Sequence, residues 1–305
     1  MAQFALRRLL QAGFTILGIL TVTFFLVRLS GDPTDLLLPV EATAADRESF
    51  RIALGLDRSI VVQYGLFLLQ AAKGDFGLSL RQQLPALQLV LERLPATAEL
   101  AFTAFGLGIG LAFAAGLASR LSHRQTLGTV LLWIAFIRQA IPTFFFGLLL
   151  ILLFSVTLRW LPSVGRGDWR NLLLPATTLA TYELALYLRL INAAFAEEAA
   201  HDYVRTAYAK GQRRRLVILR HILPNALLPL VTVAGINLGV LLGGAVVTET
   251  VFGWPGVGRL IIQSVSQRDY PVIVAGVTVI SIVFVLLNLL VDFLYAFLDP
   301  RIRLA

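Results

Sequence analysis

The stretch RTAYAKGQRRRLVILRHILPNALLPLV, Arg205–Val231, opens polar and sets Arg213, Arg214 and Arg215 side by side. It then turns apolar and runs between two of the most hydrophobic parts of the chain. A segment built this way needs a partner on its polar side and a membrane or a core on the other. Which partner depends on the sequence around it.

The 305 residues are 57% hydrophobic and only 14% charged, with a mean hydropathy of +0.79. Soluble domains are about 45–50% apolar and about a quarter charged. The deficit of charge therefore predicts a membrane protein. A net charge of +8 would suit nucleic acid in a polar chain, but here it predicts a basic cytoplasmic face and no nucleic-acid partner.

A spanning helix needs about 20 mainly apolar residues. Leu9–Leu29, Ala96–Ala118, Val130–Val156, Leu172–Leu190, Ala226–Val247 and Val272–Leu294 qualify, predicting an all-α polytopic protein. The third carries Arg138 and Pro142, which predicts a kink at its entry. The fourth carries Glu183. MAQFALRRLL followed by apolar sequence imitates a secretory signal. Its apolar run exceeds the about 7–15 residues of an h-region, which predicts an uncleaved first span.

Basic residues set the orientation. With the N-terminus inside, inner segments hold thirteen and short outer segments five. The long Arg28–Pro95 loop is left out because long loops translocate largely regardless of charge. Both termini and the opening stretch are thus expected in the cytoplasm. The expected division is a first span at 1–29, an extracytoplasmic subdomain at 30–95, a five-helix core at 96–298 and a tail at 299–305. Within the outer subdomain, SIVVQYGLFLLQAAKG predicts a helix closed by Gly74.

Several chemistries are excluded. A P-loop ends in Gly-Lys-Ser/Thr, but Lys73 and Lys210, the only lysines, are each followed by glycine. The chain has no cysteine, and His123, His201 and His221 stand at no ligand-like spacing, so no metal site is expected. No catalytic residue emerges, and no cofactor is expected on this chain.

Polar residues at bilayer depth are functional candidates. Glu183 and Asn237 are candidates for a translocation pathway, with Glu183 alternatively pairing with Arg138 or Arg189 or bonding a neighbouring helix. Arg138 either lines the same pathway or snorkels to the interface. Gly235, Gly239 and Gly243 recur at four-residue spacing and make a smooth helix face for close packing.

The opening stretch also resembles the cytoplasmic loop of the permease subunits of bacterial ABC importers, with its pattern E-A-A-x(3)-G-x(9)-I-x-L-P. Ala207, Gly211, Leu223 and Pro224 fall on that spacing. Arg205 replaces the glutamate, and His221, beside Ile222, the isoleucine. RTA followed by AKG is the form found in the peptide and nickel branch of that family. RLSGDP, GLDRSIVVQY, GDFGLSL, RLPATAEL, RWLPSVG, ETVFGWPGVGRLIIQSVSQRDYPVI and VDFLYAFLDPRIR are similar to that branch as well.

The resemblance implies a type I importer fold. It also implies a coupling helix whose residues Tyr203, Arg205, Thr206, Ala207, Tyr208, Lys210 and Gly211, with Leu223 and Pro224 behind them, serve a separate ATPase. The implied assembly is this permease, a second related permease, two ATPase subunits holding ATP and magnesium, and an extracytoplasmic binding protein, in membrane lipid. The outer loop Thr248–Arg259, with Glu249, Phe252, Trp254, Pro255, Gly256 and Gly258, is expected at the pathway mouth. Peptides are the implied cargo, with nickel, a metal chelate or glutathione as alternatives. A self-contained secondary transporter would show paired halves, and no internal repeat is visible.

Overall fold

The computed structural model describes residues 2–29, 43–53, 55–121 and 125–298. The start of the long outer loop at 30–42, the tail 299–305, His123 and Arg124 lie outside the described residues. Those described are almost wholly helical, with an isolated antiparallel bridge between Leu78 and Pro85 and no strand.

Helices α1 (Ala2–Leu29), α2 (Ala44–Ala53) and α3 (Ile60–Ala72) come first. The long α4 (Ala86–Leu121) follows, then α5 (Gln125–Ala140) and α6 (Thr143–Leu150), the last continued by a π-helical turn at Ile151–Thr157. Next come α7 (Trp169–Ala199), the short α8 (Asp202–Ala209) and α9 (Arg214–Val217). A π-helical segment, Ile218–Ile222, leads from α9 into α10 (Leu223–Gly244). The chain closes with α11 (Val246–Val251), α12 (Val257–Gln267) and α13 (Tyr270–Leu298).

Helix occupies all six predicted spans, but not uniformly. The stretches Leu6–Leu29, Ala86–Leu121 and Tyr270–Phe293 are each long and apolar enough to cross a membrane. The third predicted span is broken: its two helical parts meet at 103°. The kink expected there is therefore a full bend. Pro142 supplies no amide hydrogen and disfavours α geometry at Ile141, so the helix stops and α6 restarts with Pro142 as its N-cap.

The second span needs a correction at its start. The helix begins at Ala86 and runs through Pro95, so the end of the expected outer subdomain is helical and continuous with the span. The predicted α3 helix ends as expected: Lys73 caps it, and Gly74 follows at φ 76.

The chain forms two compact units, drawn differently from the sequence-based division. One comprises Met1–Ala96 with Gly256–Val285, the other Thr97–Pro255 with Leu286–Ala305.

In the first unit, Ala86, Val90, Val257, Val272 and Ala275 form the core. Gly276 admits close packing there, since a Cβ would stand 2.7 Å from Ile261. Phe24 of α1 meets Tyr64 and Phe67 of α3 at 5.3 Å between ring centroids, and Thr21 and Tyr64 share a 2.6 Å hydrogen bond.

In the second unit, the core gathers Tyr187, Leu188, Ile191 and Phe195 of α7 with Val204, Ala207, Val217, Ile218, Ile222 and Ala226. Lipid is as apolar as a leucine side chain, so close packing rather than water exclusion must hold the spanning helices together. Small residues provide it. A Cβ at Gly116 would stand 2.6 Å from Ile191, and one at Gly108 3.1 Å from the Ala180 carbonyl oxygen.

Candidate functional site

The opening stretch folds as a short helix, a turn and a return. The helix starts only at Asp202, because Glu197 and Glu198 still belong to α7 and the chain breaks at Ala200–His201. From Asp202 the spacing of α8 is amphipathic. Val204 and Ala207 are buried in the core of the second unit, while Tyr203, Arg205, Thr206, Tyr208 and Lys210 remain exposed. Arg205 lies 3.6 Å from Asp202, both almost fully solvated. A pair so exposed contributes little, which leaves the guanidinium available.

Gly211 closes the helix. Its amide donates to the Tyr208 carbonyl at 2.9 Å, and the Gln212 amide donates to the Ala207 carbonyl at 3.3 Å. These two bonds make a Schellman motif, whose turning residue must take positive φ. Gly211 sits at φ 75.

Two sets of polar contacts hold the segment in place. The Tyr203 hydroxyl bonds the Glu198 carboxylate at the end of α7 and accepts from Asn225 Nδ2 at 3.1 Å. Burial, reinforced by Glu198, pushes the Tyr203 hydroxyl above its usual range, so it stays protonated and can donate. On the other side, Arg214 Nη2 donates to the Arg120 carbonyl at 2.9 Å, and Arg120 Nη2 donates to the Asn192 carbonyl at 2.9 Å. The Arg120 carbonyl is one of the last in α4 and would otherwise lack a helical partner. Arg214 is therefore spent on the fold; Arg213 and Arg215 are exposed.

Leu223 and Pro224 open α10, Leu223 half-buried and Pro224 exposed. Pro224 cannot donate to the Arg220 carbonyl and its ring crowds that oxygen, and the chain widens into the π segment at this point.

The bilayer-depth residues behave differently from one another. Arg138 is 7% exposed and does not snorkel. Nε donates to Thr181 Oγ1 at 2.9 Å, Nη2 to the Thr178 carbonyl at 2.8 Å and Nη1 to the Ile141 carbonyl at 3.1 Å. The guanidinium also lies 3.9 Å from the centre of the Phe146 ring. It thus fastens both sides of the α5–α6 break to α7.

Glu183 is buried without an arginine, correcting the ion pair weighed from the sequence. Its Oε2, the Tyr187 hydroxyl and Asn237 Nδ2 are buried and make no hydrogen bond. Tyr187 nevertheless faces both Glu183 and Asn237, so the three form one polar spot. Sequence reading missed Tyr187. Its spacing, one helical turn after Glu183, was the available signal.

On α10, Gly235 and Gly239 are buried and Gly243 is exposed. A Cβ at Gly235 would stand 2.3 Å from Val291.

The stretch expected as an outer loop at the pathway mouth is largely packed. Val246–Val251 is helical, and Glu249, Phe252 and Trp254 are buried, with Pro255 half-buried. Thr97 Oγ1 donates to Glu249 at 2.6 Å, and Gly165 N–H donates to the Phe252 carbonyl at 2.9 Å. In the first unit, Gly256 and Gly258 are buried at the start of α12. Also there, Ser79 bonds the carboxylate of Asp269, and the Leu80 amide donates to the same carboxylate at 3.0 Å. GDFGLSL and QRDYP, quoted separately above, are thus two halves of one contact.

A helical chain with membrane-length helices and a short amphipathic helix closed by a glycine turn defines the class: a polytopic helical membrane protein. Comparison with known proteins makes it particular. Residues 104–304 match the family described as binding-protein-dependent transport system inner membrane component, and residues 1–101 match the family of its N-terminal part. The chain belongs to this family and is a permease subunit of an ABC importer.

It is 39% identical over 304 residues to the glutathione transport system permease protein GsiC of Escherichia coli K12, covering 99% of each. The Pectobacterium atrosepticum GsiC is 40% identical over the same span. Among solved structures, an amino acid ABC transporter crystallised with histidines has a TM-score of 0.52 at 18% identity, over 70% of this chain and 94% of that one. The inward-facing methionine transporter MetNI gives 0.52 at 18%, over 69% and 94%. These two show likeness of fold.

Proposed function

We propose that this chain forms half of the translocation pathway of an importer for small peptides, glutathione-sized ones included. The relatives named for glutathione, itself a tripeptide, support that cargo over nickel or a chelate. Both termini and α8 face the cytoplasm, in keeping with the thirteen basic residues of the inner segments.

The working assembly adds a second related permease, two ATPase subunits and an extracytoplasmic binding protein. ATP binding and hydrolysis, with magnesium, occur on the ATPases and not on this chain. The observation that carries the reading is α8. Its inner face is packed into the core, its outer face is exposed, and its first turn is tied to α7 and α10 through Tyr203. A helix held this way passes a push from an ATPase to two long helices together.

The test is uptake into proteoliposomes holding the assembled transporter. Labelled glutathione or a tripeptide should enter only with ATP at the α8 side and binding protein at the other. Uptake driven by an ion gradient without ATP would establish a secondary transporter instead.

A further inference from the structure

Within the first unit, a groove of about 590 Å³ runs along the second half of α1. Gly18, Val22 and Leu26 line one wall at helical spacing, and Ile273 and Val277 of α13 line the other. The lining holds a single charged side chain, Arg268, from the turn between α12 and α13. Arg268 is exposed, and its side chain has no hydrogen-bond or ion-pair partner among the described residues. The α12 helix ends on it in the left-handed conformation, φ 55.

We infer that this groove holds a glycerophospholipid, one acyl chain lying along α1 and the phosphate at Arg268. The length fits. From Gly18 to Val27 a helix rises about 14 Å at about 1.5 Å per residue. Half of an about 30 Å hydrocarbon core, one leaflet, is about 15 Å. The chemistry fits too. Besides Arg268 the lining offers only Thr23 and Tyr270 as polar side chains, too few partners for a peptide or sugar, whereas an acyl chain has no polar groups to satisfy. The lone cation at one end and no carboxylate in the lining match a phosphate at the headgroup level. Which leaflet is occupied rests on the orientation proposed above, and it is the outer one. The site itself does not depend on that reading or on the cargo.

The assembled transporter, exposed to vesicles of phosphatidylcholine and phosphatidylglycerol and extracted in detergent, is assayed for retained lipid by native mass spectrometry. Wild type should keep one phosphatidylglycerol per copy of this chain. R268Q should lower retention about fivefold, what one basic side chain is worth at a lipid surface. G18F, adding bulk where nothing stands within 4 Å of the Cβ position, should lower it as well, with normal membrane levels. Unchanged retention in both variants overturns the inference. So does displacement of the lipid by millimolar inorganic phosphate, which would make Arg268 a plain anion site. A cysteine at Val22 that cross-links to the second permease, rather than to a photoreactive phosphatidylglycerol, overturns it too. Glutathione uptake measured alongside separates failure of the lipid site from failure of the transport reading.

Discussion

Gly211 sits at φ 75 with nothing within 4 Å of where a Cβ would stand. Space is not the constraint there; backbone geometry is. Gly211→Ala should therefore cost only about 1 kcal/mol, and Gly211→Asn less, because asparagine visits the left-handed region more readily. Gly211→Asp has the same tolerance but sets a carboxylate next to Lys210 and close to Arg213. All three variants should reach the membrane at normal levels, with ATPase association and transport falling far more for Asp than for Asn. Equal transport by Asn and Asp would remove charge from the account. Glu183 and Arg138 differ in kind: both are buried, yet the arginine spends every donor group on fixed partners, whereas Glu183 Oε2 has none.

At the scale of the element, Pro142 makes the α5–α6 break and Arg138 latches it to α7. Arg138→Gln abandons the Thr178 and Ile141 carbonyls, and each buried acceptor left unmade costs about 1–3 kcal/mol. A lysine is a point donor and cannot reach three acceptors and a ring at once, so Arg138→Lys should melt nearly as low as Arg138→Gln in detergent. A melting temperature restored by lysine would reduce the latch to a matter of charge. The α10–α13 contact offers a second test. Gly235→Val should destabilise by about 1–3 kcal/mol through overpacking, and Val291→Ala, which opens the facing side, should recover part of the loss in the double variant.

Much at this scale was legible in the sequence. Hydropathy located all six helical stretches, and the turns at Gly74 and Gly211 followed from a glycine after an amphipathic run. The size of the bend at Pro142 was not legible, because proline says where a helix stops and not where the next one points. Nor was the burial of Glu249, Phe252 and Trp254. Turn-rich composition suggests an open loop, but partners such as Thr97, distant in sequence, pull this one inward.

For the whole molecule, the absence of cysteine allows a direct test of topology. Ser49 and Leu216 are both exposed and belong to different units. A cysteine at 49 should react with an impermeant maleimide on intact cells, and one at 216 only after lysis. The reverse pattern would invert the proposed orientation and place α8 out of reach of any ATPase.

The link between Ser79 and Asp269 joins positions 190 apart in the chain. A ribosome adding about 5–20 residues per second needs roughly 10–40 s to cover that distance. During this interval the first helix is already in the bilayer, while the carboxylate that completes its unit has not been made. The intervening helices must therefore insert and pack in the presence of an unfinished neighbour. A late part of the nascent chain closes what the first part began, so the first unit waits, incomplete, until most of the second has been made.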